Sequence, residues 1–190
     1  LDLELQERHR VAHARVVSAL DSNRYFRLLD TLENLAVDPP LTLRANKPAR
    51  KELPALVGRA SQRVDRAARA VAAAPTAKER DHALHEVRKS AKRARYASES
   101  AEPVAGKSAK RLAKAMMAVQ DILGEHQDTV ASRDLLRKIG MTAHRSGENA
   151  FTFGLLYAVE RARAADALRA YEPALRRASR KRARRWTHRG

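Results

Sequence analysis

The sequence predicts an all-α protein in which long antiparallel helices form a helical bundle. Apolar residues recur three and four positions apart along most of the 190 residues, and no segment alternates apolar and polar residues as a strand would. Ala, Leu and Arg are abundant, whereas Gly accounts for only 7 residues, and this composition favours helices. Because the connections between helical stretches are mostly short, neighbouring helices are expected to run antiparallel.

The first two predicted helices cover residues 1–21 and 23–36. Each carries an apolar stripe, and we expect the stripe of the second helix to face inward. Ser22 is a suitable N-cap for the second helix, since its hydroxyl can accept a backbone N–H. Asp38-Pro39-Pro40 ends that helix, because proline cannot continue it. A long loop follows at 37–50. The stripes consist of Leu1, Leu5, Ala12, Val16 and Ala19, and of Tyr25, Leu28, Leu29, Leu32 and Leu35.

Prolines, glycines and one capping motif divide the rest of the chain into six more helices. Pro54 suits the first turn of the third helix, and Thr76 followed by Glu79 is a capping-box signature for the fourth. Gly124 and Gly140 are expected to end the fifth and sixth helices. The six are predicted at about 53–74, 76–101, 105–123, 126–139, from 148 onward, and 173–187. The helix that begins near 148 carries apolar residues on one side: Phe151, Leu155, Ala158, Val159 and Ala162.

The charge balance points to an anionic partner. The chain contains 39 Lys and Arg against 22 Asp and Glu, a formal net charge of +17, which attracts anions and makes the protein repel itself. Nucleic acid, polyphosphate and acidic lipid surfaces are therefore considered as partners. The absence of Cys excludes disulfides and thiolate sites and is compatible with the cytoplasm. No stretch approaches the ~18 apolar residues of a membrane span, and no signal peptide is expected.

The fourth helix is the most informative segment, because its charged and apolar residues lie on opposite sides. Six polar residues fall within about a third of the circumference at ~100° per residue, with only Glu86 and Glu99 among the cations. Like charges at this spacing destabilise a helix by a few tenths of a kcal/mol per pair, a cost that a bound polyanion would reverse. The basic side holds His85, Arg88, Lys89, Lys92, Arg95 and Tyr96; the apolar side holds Ala83, Leu84, Val87, Ala91, Ala94 and Ala101.

The fifth helix repeats this arrangement. If it is the antiparallel neighbour of the fourth, joined by the turn at 103–106, the two basic sides lie next to each other and form a groove of about eight cations. Arg binds phosphate oxygens bidentately, Lys supplies a point charge, and His85 and Tyr96 add directed hydrogen bonds. The fifth helix has Lys107, Lys110, Arg111 and Lys114 on one side and Leu112, Met116, Val119 and Leu123 roughly opposite.

These motifs closely resemble a known family. Two consecutive patterns resemble the second half of a CHAD domain, the conserved histidine α-helical domain. They are His85-x-x-Arg88-Lys89-x-x-Lys92-Arg93-x-Arg95-Tyr96 and, after it, Gln120-Asp121-x-Leu123-Gly124-x-His126-x-Asp128. Leu20-Asp21-Ser22-Asn23-Arg24-Tyr25 is similar to that family's middle segment, and Glu148-Asn149-Ala150-Phe151-x-x-Gly154 to its later helix. The resemblance covers nearly the whole chain in the right order.

The resemblance implies two related helical bundles around a basic cavity that binds inorganic polyphosphate, with some members targeted to polyphosphate granules. It divides the single domain of residues 1–190 into the remainder of a first bundle, 1–74, and a second bundle, 76–190. Family members usually open with a first copy of the basic His-x-x-Arg helix. His9-Arg10-Val11 does not supply that pattern, so the first bundle is expected to be incomplete.

The resulting prediction is a non-enzymatic polyphosphate-binding module that needs no cofactor and no metal, does not use a membrane, and lies in the cytoplasm at polyphosphate granules. Its oligomeric state is left open. The residues predicted to bind polyphosphate are His85, Arg88, Lys89, Lys92, Arg95, Tyr96, Lys110 and Lys114, with Arg8, Arg15 and Arg24 as a second group.

Two other functions compete with this prediction. Binding of RNA or DNA would use the same basic sides, although recognisable nucleic-acid motifs are absent and aromatic platforms are few. An enzyme acting on phosphoanhydrides would need metal-holding carboxylates beside the cations, and the acids are scattered. His82-x-x-His85-Glu86 also lacks the spacing of the His-Glu-x-x-His zinc pattern.

Several residues outside the groove have two interpretations. His126 and Asp128 either orient a basic side chain or cap the sixth helix. The basic C-terminal run, which includes Arg184 and Arg189, either extends the binding site or is a solvated terminus. Trp186 either docks the chain end onto the bundle or stacks on a base. Met116 and Met117 either both fill the core or divide between core and edge.

Overall fold

The computed structural model describes the backbone of residues 2–188 and the side chains of residues 5–187, and no strand occurs in that range. The all-α prediction is therefore confirmed. The chain divides into two compact units, residues 1–46 and residues 47–190. The predictions made for Leu1 and Arg189 lie outside the described residues.

The first unit contains two helices in series, α1 (Asp2–Leu20) and α2 (Asn23–Val37), and a 3-10 turn, Leu43–Asn46. Ser22 caps α2 as predicted, because its Oγ accepts the N–H of Tyr25 at 3.3 Å. Ser22 and Tyr25 are half-buried, and every other described side chain of this unit is exposed. The prediction that the stripe of the second helix faces inward is wrong for its four leucines, which are exposed because two helices alone provide no second layer to cover them.

The second unit is built from four long helices joined by short connections. The long helices α3, α4, α6 and α7 pack as consecutive neighbours, and α5 is a single turn between α4 and α6. A short helix, α8, and a final 3-10 turn complete the unit. The bounds are α3 Ala49–Ala73, α4 Ala77–Ser100, α5 Glu102–Ala105, α6 Lys107–Arg145, α7 Phe151–Ala178, α8 Lys181–Arg184 and 3-10 Arg185–His188.

One hydrophobic core runs through this unit. Val57 and Val64 of α3 are fully buried in the same cluster as Leu84 and Val87 of α4, so α3 lies in the second unit although the sequence groups it with residues 1–74. The apolar side predicted for the fourth helix is buried throughout. Met116 is buried and Met117 is exposed, which confirms the division between core and edge.

The helix α6 runs without a break through both glycines that were expected to end helices. The predicted breaks at Gly124 and Gly140 are therefore wrong. Leu123 and His126 are buried on either side of Gly124, and this packing outweighs the ~1 kcal/mol helix penalty of a glycine. The helix ends instead at Arg145, and Gly147 follows it with a φ of 77°, which permits a hydrogen bond from Glu148 N–H to Ala143 O at 2.9 Å.

Two prolines lie inside helices and not at their starts. The helix α3 begins at Ala49, so Pro54 lies in its second turn. The helix α7 continues through Pro173 to Ala178, and the separate helix predicted at 173–187 is wrong. Buried Tyr171 and Ala174 flank Pro173, and their packing holds the helix together where one backbone hydrogen bond is lost.

The C-terminal segment is tied to the bundle. Arg184 is buried, donates from Nε to Ala178 O at 2.9 Å and pairs through Nη1 with Asp65 of α3. The Nε1 of Trp186 donates to Ala183 O at 3.1 Å, and its ring packs against the core, which confirms the docking interpretation. The basic run is therefore not a frayed end as far as residue 187.

The C-terminal part of α6 and the N-terminal part of α7 form a helix pair with an apolar surface. Phe151, Leu155 and Val159, which the sequence places on one side of the seventh helix, are 73%, 56% and 48% exposed. The buried residues of α7 begin only at Ala164. Within residues 2–188, no helix combines the length and the apolar character that a membrane crossing requires.

Candidate anion-binding face

The basic face of α4 comprises six residues on the side of the helix that faces away from the core. Its capping box fixes the start of the helix, because Thr76 Oγ1 accepts the N–H of Glu79 at 3.2 Å while the Glu79 carboxylate accepts the N–H of Thr76 at 3.1 Å. Two members of the face, Lys92 and Tyr96, are exposed, and the others are half-buried. The basic face consists of His85, Arg88, Lys89, Lys92, Arg95 and Tyr96.

Arg88 lies over the neighbouring helix α6. Its Nε and Nη2 are 3.6 and 3.9 Å from the position that a Cβ would occupy on Gly124. The Nε is buried and has no hydrogen-bond partner in the described part of the chain. An unused cationic donor is therefore held between α4 and α6.

The cations of the basic face differ in how they are paired. Lys89 Nζ lies 2.6 Å from Glu86, and Arg95 Nε lies 3.6 Å from Glu99. Arg88 and Lys92 form no ion pair with any residue between 5 and 187. The ring of Tyr96 lies under two cations, 4.5 Å from the Arg95 guanidinium and 5.8 Å from Lys92 Nζ.

Two lysines of α6 extend the basic face toward the C-terminal end of α4. Lys110 and Lys114 are exposed, and helical rotation places them within about 40° and 80° of Gly124, on the side over which Arg88 lies. They are 14 and 10 residues before Gly124, or about 21 and 15 Å along the helix axis. Lys110 Nζ is 3.7 Å from Glu102, whereas Lys114 has no such partner in the described range. That the two basic sides form one groove stays a prediction.

An open cavity of about 670 Å³ lies at the other end of the basic face, between the first turns of α4 and the middle of α6. His85 lies in its wall, and His85 Nδ1 is buried without a hydrogen-bond partner among the described residues. The basic face of α4 thus reaches this cavity at His85. Its other polar lining residues are Lys78, Asp81, His82, Gln127, Asp134 and Arg137.

A buried histidine connects α6 to α4 beside this cavity. His126 is 2% exposed, and its Nε2 lies 3.6 Å from Asp81 Oδ1, while Arg133 Nη2 lies 3.8 Å from Asp81 Oδ2. Burial lowers the pKa of His126, although Asp81 acts in the opposite direction. Because α6 is continuous, the interpretation of His126 as a helix cap is wrong. The sequence pattern does not single out Asp81, which lies one helical turn before His85.

Comparison with known proteins gives the family. The CHAD domain model matches residues 1–137, which is more than half of the chain. The chain belongs to the CHAD domain family. Two proteins of Mycobacterium tuberculosis, from strains CDC 1551 and H37Rv and both named only as uncharacterized, are 37% identical to it over 159 residues. That alignment covers 82% of this chain and 29% of each relative. No solved structure matches.

All residues of the basic face, together with Lys110 and Lys114, lie in the second unit and inside the part that matches the CHAD domain model. The second group of predicted residues, Arg8, Arg15 and Arg24, lies in the first unit, and all three are exposed. Arg15 lines an open cavity of about 630 Å³ along α1.

The charge of this CHAD chain is distributed unevenly between the two units. Residues 1–46 contain 6 Lys and Arg against 7 Asp and Glu, a net charge of −1. The remaining residues contain 33 Lys and Arg against 15 Asp and Glu, a net charge of +18. The field that attracts anions therefore comes from the second unit. Between residues 5 and 187, no three His, Asp or Glu side chains are grouped so that they could hold a metal ion.

Proposed function

We propose that this CHAD protein binds inorganic polyphosphate through the basic face of α4 and through Lys110 and Lys114 of α6, without catalysing a reaction. The observation that carries the proposal is the pair Arg88 and Lys92, two cations one turn apart that have no acidic partner in the described part of the chain. A polyanion would supply the partners. The CHAD domain is associated with polyphosphate binding in general.

The spacing of the cations suits a linear chain of phosphates. From His85 to Tyr96 the basic face extends over about 16 Å of helix axis, and the two α6 lysines lengthen it further. A single phosphate would engage only a few of these groups. A polymer would contact them successively and release condensed counterions at each contact, so its affinity should fall steeply with salt.

The surroundings of Tyr96 favour polyphosphate over RNA. Binding of single strands relies on aromatic rings onto which bases stack. Tyr96 is the one Phe, Tyr or Trp residue of the basic face, and its ring already contacts the Arg95 guanidinium at 4.5 Å. A ligand without bases loses nothing from this arrangement.

A non-catalytic role is consistent with the acids around the basic face. Hydrolysis of a phosphoanhydride normally relies on carboxylates that hold metal ions beside the cations. Here Glu86 and Glu99 are engaged with Lys89 and Arg95. Phosphate released from polyphosphate in the presence of Mg²⁺ should stay at the level of a protein-free blank, and release that Arg88→Glu abolishes would contradict this part of the proposal.

The decisive experiment is titration of labelled long-chain polyphosphate at physiological salt, with RNA of equal total charge as competitor. The variant Arg88→Glu/Lys92→Glu should lose most of the affinity and shift the slope of log affinity against log salt by about two or more. The control Arg59→Glu/Arg63→Glu makes the same charge change at the same spacing on the exposed side of α3 and should retain tight binding. Equal losses in both variants, or equal competition by RNA, would refute a dedicated site.

Targeting to polyphosphate granules is the cellular form of the same proposal. A fluorescent fusion of the full chain should co-localise with granules in cells that accumulate polyphosphate. The Arg88→Glu/Lys92→Glu fusion should become diffuse, while the α3 control should stay on the granules. Granule localisation that survives loss of the two cations would mean that another part of the protein is responsible.

A further inference from the structure

The segment that follows α7 carries cations that no acid neutralises. Between residues 173 and 190 the chain has 8 Lys and Arg and no Asp or Glu. Four of these cations are exposed, lie beyond the end of α7 and form no ion pair in the described part of the chain. They are Arg180, Lys181, Arg182 and Arg185, the C-terminal cluster. Because like charges this close repel one another, the bare cluster has an electrostatic cost that an anion would remove.

Helix stability does not account for the C-terminal cluster. Arg176 and Arg177 lie in the last turn of α7, where cations interact favourably with the helix dipole, and Arg176 also pairs with Glu172 at 3.3 Å. The dipole effect falls off within that last turn, and α7 ends at Ala178. The four cations of the cluster follow this end, so their role lies outside the helix.

The segment that carries the cluster is held in one place by a buried arginine. Arg184 donates from Nε to Ala178 O at 2.9 Å and from Nη2 to Ser179 Oγ at 3.1 Å. Its Nη1 pairs with Asp65 of α3, and Trp186 packs against the core two residues later. The exposed cations on either side of Arg184 therefore stand on an ordered backbone, which lowers the entropy that an anion must remove to bind them.

The hydrophobic core lies between the C-terminal cluster and the basic face of α4. Ala183 and Trp186 pack against the same core that contains Val87 and Ala91 of α4. The basic face is on the side of α4 that faces away from this core, and the cluster is on the exposed side of the C-terminal segment. The two basic surfaces are therefore separate and cannot contact the same few phosphates.

We propose that the C-terminal cluster is a second polyphosphate-binding site, so that one protein holds two segments of polyphosphate on different sides of the bundle. The proposal rests on the proposed binding at α4, to which it adds a second contact. Three of the four cations are arginines, whose forks bind phosphate oxygens bidentately. A protein with two separate sites joins different polyphosphate chains to one another and gains avidity for long ones.

The surroundings of the cluster favour a phosphate chain over RNA or an acidic membrane. Trp186 is the one Phe, Tyr or Trp between 173 and 190, and its ring packs against the core while its Nε1 donates to Ala183 O. It therefore offers no ring on which a base could stack. Every exposed residue from 176 to 185 is Lys or Arg, so this surface lacks the apolar side chains that insert into a membrane interface.

The test combines light scattering of the full chain with long-chain polyphosphate and calorimetric titration with short-chain polyphosphate. The wild type should bind two short chains per protein and form light-scattering assemblies with long ones. Arg180→Glu/Arg182→Glu should bind one short chain, and its scattering with long chains should fall by about fivefold or more. The control Arg59→Glu/Arg63→Glu makes the same charge change on the exposed side of α3 and should behave as the wild type.

Three outcomes overturn the proposal. They are a wild type that binds one short chain, scattering that survives in Arg180→Glu/Arg182→Glu, and equal losses in that variant and in the α3 control. Displacement of the second short chain by RNA of equal total charge also overturns it, because the cluster would then be a general polyanion surface. If the glutamate variant loses helix content by circular dichroism, Arg180→Gln/Arg182→Gln replaces it with the same expected direction.

The variant Arg88→Glu/Lys92→Glu separates this proposal from the one for α4. When both proposals hold, that variant loses the tighter short-chain site and keeps the one that Arg180→Glu/Arg182→Glu removes. If binding at α4 alone fails, Arg88→Glu/Lys92→Glu titrates like the wild type while the C-terminal variant still loses a site. If the second site alone fails, only Arg88→Glu/Lys92→Glu changes the titration.

Discussion

The guanidinium of Arg88 lies across α6 at Gly124, with Nε 3.6 Å from the position of a Cβ at that residue. A methyl group at this distance is in ordinary van der Waals contact and needs no rearrangement. A side chain longer than that of alanine would meet the guanidinium, so a short residue at this position leaves room for Arg88. This relationship ties the position of a proposed binding residue to the small size of the residue on the neighbouring helix.

Substitutions at Gly124 should separate stability from binding. Gly124→Ala should raise the free energy of unfolding by about 0.5–1 kcal/mol, because alanine is the better helix former, and should leave polyphosphate affinity unchanged. Gly124→Leu should displace the guanidinium and lower the affinity as far as Arg88→Gln does. Urea denaturation and polyphosphate titration measure the two effects. Full affinity in Gly124→Leu would show that Arg88 does not bind from its observed position.

Removal of Glu86 should strengthen binding. Glu86 holds Lys89 at 2.6 Å, and this contact keeps the pKa of the Glu86 carboxyl below its usual value. Glu86→Gln frees the lysine and removes a negative charge, so the polyphosphate dissociation constant should fall by up to about fivefold, the effect of a surface ion pair of about 1 kcal/mol or less. Glu160→Gln is the control, since Glu160 forms an equivalent pair with Arg163 on α7 at 2.8 Å. An equal gain in both variants would indicate a general effect of net charge.

Alanine at two glycines near the α6–α7 contact should have opposite effects on stability. A Cβ on Gly140 would lie 3.1 Å from Phe153 Cβ, so Gly140→Ala should destabilise the protein by about 1–3 kcal/mol through overpacking. A Cβ on Gly154 would meet no atom within 4 Å, so Gly154→Ala should stabilise by up to about 1 kcal/mol. Thermal unfolding of both variants measures this. Stabilisation by Gly140→Ala would mean that the two helices are free to move apart.

Acid should destabilise the second unit through His126. Burial lowers the pKa of this histidine in the folded protein below its value of about 6.5 in the unfolded chain. Between these two pKa values the unfolded state therefore binds more protons than the folded state. The free energy of unfolding falls as the pH drops from about 6.5 toward the lower pKa of the folded protein, and below that pKa the loss is complete. The melting temperature of the wild type should decrease over this window, and that of His126→Gln should decrease less. Parallel curves for both proteins would assign the acid sensitivity to other groups.

Local signals in the sequence were sufficient for the starts of α2 and α4 and for the division of α4 into a charged and an apolar side. Ser22, Thr76 and Glu79 act within one turn of themselves, so their capping bonds follow from adjacent residues. Val87 and Ala91 are buried while Lys92 is exposed, as a helical repeat requires once one side is apolar. The basic face of α4 therefore follows from residue spacing alone.

Tertiary packing decided the remaining features, because they depend on residues far apart in the chain. Buried contacts on both sides of Gly124 and Gly140 keep α6 helical, against a local preference of about 1 kcal/mol for each glycine. Buried contacts of α7 likewise keep that helix continuous at Pro173, against a local preference of about 3 kcal/mol. The meeting of Asp81 with His126 required α4 and α6 to align. The sequence by itself determined that the protein is helical and basic, and which face of α4 is charged. Only the tertiary structure decided that Arg88 lies unpaired over Gly124 and that the leucines of α2 stay exposed. The reason is that burial depends on neighbouring residues from other parts of the chain, which local sequence does not specify.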